Sequence, residues 1–202
     1  MLEDNVHQHL IREYQLDVYS RELERYQAAG IEETEEFFWY SSEFVVHFLK
    51  AIKSGNRIPS FQAAAFTVKV ITEGFYSAAE QQLEFWQNAF ENYFTEFEGK
   101  NIKVELDHKY RVHSQELDVF LHALEPFPEK QLQHWLKKMR LKAIEINKKL
   151  DNNASKRDYL LSLIHVHLNR MFADQQREQE MVIYFLLSKW MRSRIARQKK
   201  GI

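Results

Sequence analysis

Apolar positions along this chain fall mostly at helical spacing. Between Ser155 and Phe172, Leu160, Leu161, Ile164, Leu168 and Met171 recur three and four apart, the period of a helix laid on a core. The same period predicts helices over Glu32–Lys53, Phe61–Gly74, Ser77–Glu98, Ile102–Leu124, Gln131–Leu150 and Gln175–Gln198. Breaks with turn chemistry separate them: SGNRIPS at 54–60, the glycine at 99 and EPFP at 125–128. In Glu32–Lys53 the acids come first and the lysines last, the order that a helix dipole favours. Its apolar face reads as Phe37, Phe38, Phe44, Val45, Phe48 and Leu49, and that of Ile102–Leu124 includes Val104, Leu106 and Leu117. The aromatic stripe Phe85, Trp86, Phe90, Tyr93, Phe94 and Phe97 reads as core. Ser155 followed by Asp158 predicts a capping box at the start of its helix.

One stretch departs from the helical period. Over residues 9–19, Leu10, Tyr14, Leu16 and Val18 share one parity, which predicts a strand. A strand needs a sheet to join, and no convincing second strand lies near it, so its partner is expected from outside this chain. Ser20–Tyr26 follows as a helical turn on which Glu22 and Arg25 are neighbours. The fold class is therefore α+β and predominantly α-helical, with about six to seven helices and one or few N-terminal strands, in a single domain over residues 1–202.

Composition agrees with that architecture. The chain has 202 residues, 45% of them apolar, with only 5 Gly and 3 Pro, enough for a sizeable core and too few breakers for a turn-rich β protein. A net charge of −1 gives no global attraction to nucleic acid. The charge is uneven, however. Acids dominate the first fifty residues, while Lys189, Arg192, Arg194, Arg197, Lys199 and Lys200 crowd the end, which reads as a solvated helix terminus with cations opposing the dipole. The absence of cysteine excludes disulfides, thiolate nucleophiles and Cys-ligated zinc, and fits a reducing compartment. No signal peptide and no apolar run of membrane-spanning length is visible, so a soluble, cytoplasmic protein is expected.

Few constellations could carry chemistry. Glycine-rich phosphate loops, GxSxG and HExxH are missing. Glu105 and His108 form a single E-x-x-H, half of what a di-iron bundle requires. His165 and His167 would diverge by about 200° on a helix, which argues against a shared metal; no metal is assigned. Two clusters remain. Glu22 and Arg25 offer a carboxylate and a guanidinium; His165, Asn169 and Arg170 offer an imidazole, an amide and a second guanidinium, with His165 and Asn169 four apart on one face. The residues leave two readings open. The second cluster is a set of satisfied polar groups at the core edge, or it is half of a site in which His165 is the base.

Three stretches carry a family resemblance: QLDVYSRELERY at 15–26, TEEFFWYSS at 34–42 and YLLSLIHVHLNRMF at 159–172, followed by the basic end. In order and spacing they resemble the C-terminal domain of class I lanthipeptide dehydratases, a domain type also found in thiopeptide biosynthesis. The resemblance implies a lyase that eliminates glutamate from glutamylated Ser or Thr of a ribosomal precursor peptide, giving dehydroalanine or dehydrobutyrine. It implies that His165, Arg25 and Glu22 are catalytic, with Tyr26, Asn169 and Arg170 binding substrate or supporting the site. It calls for no cofactor. Transfer RNA serves the separate glutamylation reaction, so no direct tRNA binding is assigned. The implied partners are the glutamylated precursor peptide and a glutamylating dehydratase or a missing half-domain.

The chain departs from the family pattern in three places. Gln27, Ala28 and Ala29 stand where glycines are usual, and Ser41 stands where the family has Asp. The family's earlier aromatic-rich strands, with a His-Leu-Arg-x-Arg-like segment, have no counterpart, so the chain is expected to lack the N-terminal part of the domain and to depend on another source for it. Two alternatives accompany the lyase reading: a thiopeptide pyridine-forming [4+2] cyclase, and a non-catalytic helical module that binds a precursor peptide or a dehydratase partner.

Overall fold

The computed structural model describes residues 26, 29–55, 57–97, 102–123 and 125–199. Among them the chain forms α1 (Ile31–Lys53), α2 (Ser60–Phe75), α3 (Ala79–Glu96), α4 (Ile102–His122), α5 (Lys130–Lys149), α6 (Asn153–Met171) and α7 (Gln176–Lys199). All seven predicted helices are present, with ends within about two residues of the expected ones, as fraying termini allow. No strand occurs among the described residues. The strand expected at 9–19 lies outside them, as do Glu22 and Arg25.

Local chemistry explains several boundaries. Gly30 precedes α1 at φ +94°, a conformation side chains disfavour, and its carbonyl accepts from the Thr34 hydroxyl. The predicted capping box on α6 is corrected. The cap is Asn152, whose side chain accepts from the Ser155 amide at 2.9 Å, three residues before the expected start. Between α6 and α7, Gln175 adopts φ +50° and its carbonyl receives the Gln179 amide at 2.9 Å.

Helix α3 lies along α7, and α5 packs against both α1 and α2. The last contact is close because Gly74 has no side chain: a Cβ there would stand 2.7 Å from Cβ of Ala143. Asn147 on α5 then reaches the end of α2, donating to the Phe75 carbonyl at 2.9 Å. A single core collects residues of all seven helices, with Phe37, Ile71, Trp86, Leu121, Met139, Ile164 and Tyr184 among its most buried members. Two buried indoles are matched: that of Trp86 donates to Thr72 at 3.1 Å, and that of Trp190 to Asp118 at 2.8 Å. Two apolar assignments are corrected. Leu49 is 53% exposed and Val104 73% exposed, each lying just off the buried face of its helix. Among the described residues no helix is long and apolar enough to cross a membrane.

Candidate functional site

Helix α6 presents two histidines in different directions. His167 points inward and is wholly buried. Its Nε2 lies 2.9 Å from the Thr67 hydroxyl on α2, and its Nδ1 lies 2.9 Å from the Ser41 hydroxyl on α1. Thr67 donates its own proton to the Ala64 carbonyl at 2.8 Å. Nε2–H therefore donates to Thr67, and Ser41 donates to Nδ1, which assigns the neutral tautomer. Burial, reinforced by the nearby Arg170 charge, pushes His167 down to about 3. Ser41, the departure from the family's Asp, is thus the partner of a neutral imidazole.

His165, two residues and about 200° before that position on the helix, faces a cleft of about 630 Å³ lined by Tyr93, Asp158, Tyr159, Ser162 and Arg177. Behind it stands Glu180 of α7, with no exposed surface. His165 Nδ1 lies 2.8 Å from Glu180 Oε2, and the Tyr184 hydroxyl donates to Glu180 Oε1 at 2.7 Å. Because a carboxylate only accepts, the His165 proton sits on Nδ1, leaving the Nε2 lone pair available. The Asn169 amide donates to that nitrogen at 3.1 Å. Burial, followed by the Glu180 charge, holds both the Tyr93 and Tyr184 phenols well above their ordinary values. These phenols act as neutral donors around one buried carboxylate.

Such an arrangement suits general-base chemistry. A carboxylate fixes the tautomer and orientation of an imidazole and favours the imidazolium that proton uptake creates. The exposed nitrogen needs only exchange its Asn169 contact for a substrate proton. Arg177 is the cation among the described residues lining the cleft; its guanidinium donates to Glu96 at 2.5 Å and lies over the Tyr93 ring.

Tyr26 packs against α6. It is buried, its hydroxyl lies 2.5 Å from that of Ser162, and its carbonyl accepts from Tyr159 at 3.3 Å. Its ring meets Phe38 and Tyr159 edge-on, and Tyr159 also hydrogen-bonds Thr34. Burial pushes the Tyr159 phenol up to about 12. Both Ser162 and Tyr159 line the His165 cleft, so Tyr26 fastens the end of the first sequence motif to the wall of that cleft.

A family model described as the lantibiotic biosynthesis dehydratase C-terminal region matches residues 1–191. The chain belongs to the lantibiotic dehydratase C-terminal family. Comparison with curated proteins and with solved structures finds no match. Membership ties the protein to lanthipeptide dehydration and to a precursor peptide as the material processed.

Within this lantibiotic dehydratase C-terminal chain, the sequence-predicted residues separate into three groups. His165 and Asn169 meet as expected from their spacing. Arg170 turns away from His165: it donates to the Val166 carbonyl at 3.0 Å and lies over the Phe38 ring. Glu22 and Arg25 lie outside the described residues. Glu180, which sequence reasoning missed, does leave a signal. It occupies the buried helical stripe that continues through Ile183, Tyr184 and Leu187, and a carboxylate in a core register calls for a partner. The lone E-x-x-H lies on α4, where Glu105 pairs with Lys109 at 2.8 Å. No group of three metal-ligating residues occurs among the described residues.

Proposed function

We propose that the protein eliminates glutamate from glutamylated Ser or Thr in a lanthipeptide precursor. The observation that carries this reading is the His165–Glu180 pair, at 2.8 Å, with the imidazole at an open cleft and the carboxylate fully buried. The Cα–H of a peptide residue is a weak acid, so its removal needs a positioned base and a group that holds the developing enolate. His165 Nε2 takes that proton. The freed pair forms the Cα–Cβ double bond, the Cβ–O ester bond breaks, and glutamate departs as its carboxylate. Glu180 supports the imidazolium until the proton is passed on. No oxidant, reductant or metal enters this balance.

Arginine forks suit the enolate and the departing carboxylate. Arg177 lines the cleft. Arg25 is covalently joined to Tyr26, whose hydroxyl reaches Ser162 of the same cleft, and this linkage supports its assignment together with Glu22. Asn169 steadies the base and Arg170 braces α6 against α1.

A glutamylated Ser or Thr peptide incubated with the chain, followed by mass spectrometry, tests the reading. Conversion to the dehydro-peptide, lost in His165→Ala, is the expected result. Elimination by His165→Ala at the parent rate would remove the base assignment. Conversion of a polydehydrated linear peptide to a macrocycle would replace elimination with ring formation.

A further inference from the structure

A second cleft lies at the opposite end of α7 from Glu180. It encloses about 830 Å³ between α2, the end of α4 and α5, and its floor includes Phe66, Val70, Leu121 and Phe127. Five cations converge on it from three helices: Lys69, Lys130, Lys137, Arg140 and Arg194. Lys69 is engaged by Glu73 at 2.9 Å, and Arg194 rests on the Trp190 ring. Lys130, Lys137 and Arg140 have no carboxylate partner among the described residues. On α5 they recur at i, i+7 and i+10, so they share one face and span about 15 Å. The opposing acids are Glu73, already committed, and Glu125 at the rim.

We propose that this cleft docks an acidic segment of the peptide being processed, away from the His165 site. The proposal rests on the preceding reading only in taking the ligand to be a polypeptide. Charge complementarity calls for an anion, and the apolar floor calls for a ligand that also carries apolar side chains. An RNA strand fits less well. Phe66 and Phe127 are buried and meet each other edge-to-face at 5.9 Å, so they offer no open ring face on which a base would stack. Carboxylates spaced along an extended segment match cations spaced along a helix, with Arg140 free to bind in a fork.

The test is a fluorescence-anisotropy titration of the full chain with a short labelled peptide of alternating Glu and Leu. Saturable binding that weakens with salt is expected, and the double substitution Lys137→Glu/Arg140→Glu should weaken it by about tenfold or more. The control Lys50→Glu/Lys53→Glu, an equal charge change at the end of α1, should leave affinity within about twofold. Equal loss in both variants overturns the proposal, as does tighter binding of a uridine oligonucleotide that the cleft substitutions abolish. So does self-association that the same substitutions dissolve. The readout is binding, so absence of elimination would strike the proposed reaction and leave this result standing.

Discussion

Nδ1 of His165 lies 2.8 Å from Oε2 of Glu180, on the neighbouring helix and entirely out of water. Glu180→Gln keeps the size and an acceptor oxygen but removes the charge that favours the imidazolium. Elimination should fall by about 100-fold or more, with thermal stability close to the parent. Rate measurements on a glutamylated peptide beside a melting curve separate these effects. An unchanged rate would detach Glu180 from the chemistry.

His167 predicts a pH dependence of stability. Its value in the fold, about 3, lies below the ordinary 6.5. The unfolded chain therefore binds the extra proton first as pH falls. The contribution is fully present above pH 6.5 and is lost on acidification toward about pH 3, with a slope approaching ~1.4 kcal/mol per pH unit. Urea unfolding from neutral pH downward should show this slope, and His167→Gln, which offers a donor and an acceptor without titrating, should flatten it.

Gly74→Ala should destabilise the fold by about 1–3 kcal/mol, because the new Cβ meets the Cβ of Ala143 and the α5 backbone rather than a flexible side chain. Adding Ala143→Gly removes the nearest obstacle and should recover part of the loss. Denaturant midpoints of the two variants decide it; equal values would mean that the helices simply separate.

Tyr26→Phe removes the hydroxyl that reaches Ser162 at 2.5 Å. The expected cost is about 1 kcal/mol, and a double-mutant cycle with Ser162→Ala should show a coupling of similar size. Additive losses would mean that each hydroxyl finds another partner.

Helix placement was legible because a 3.6-residue apolar period survives in each segment, and because glycines, prolines and polar runs separate them. Exposure was less so: Leu49 and Val104 satisfy the period loosely, and only the packing of neighbouring helices decides that they face water. Half of the candidate site could be read in advance. His165 and Asn169 are linked by spacing on one helix, whereas Glu180 reaches His165 through the turn at Gln175, a geometry that local periodicity does not contain. Arg170 is the converse case. Adjacent in sequence to Asn169, it faces about 100° away around the helix and packs on Phe38 instead.

The two outward bonds of His167 have a bearing on His165, two residues earlier on the same helix. Ser41 and Thr67 grip one imidazole from two directions, so α6 can neither roll nor slide without breaking a hydrogen bond in a dry interior. That grip serves as an alignment pin for the cleft. His165 thus projects into the cleft from a pinned helix, and the amide protons around residues 164–168 should be among the last in the molecule to exchange with solvent. Any adjustment during turnover then belongs to the peptide and to the side chains rimming the cleft, while the helix beneath them stays still.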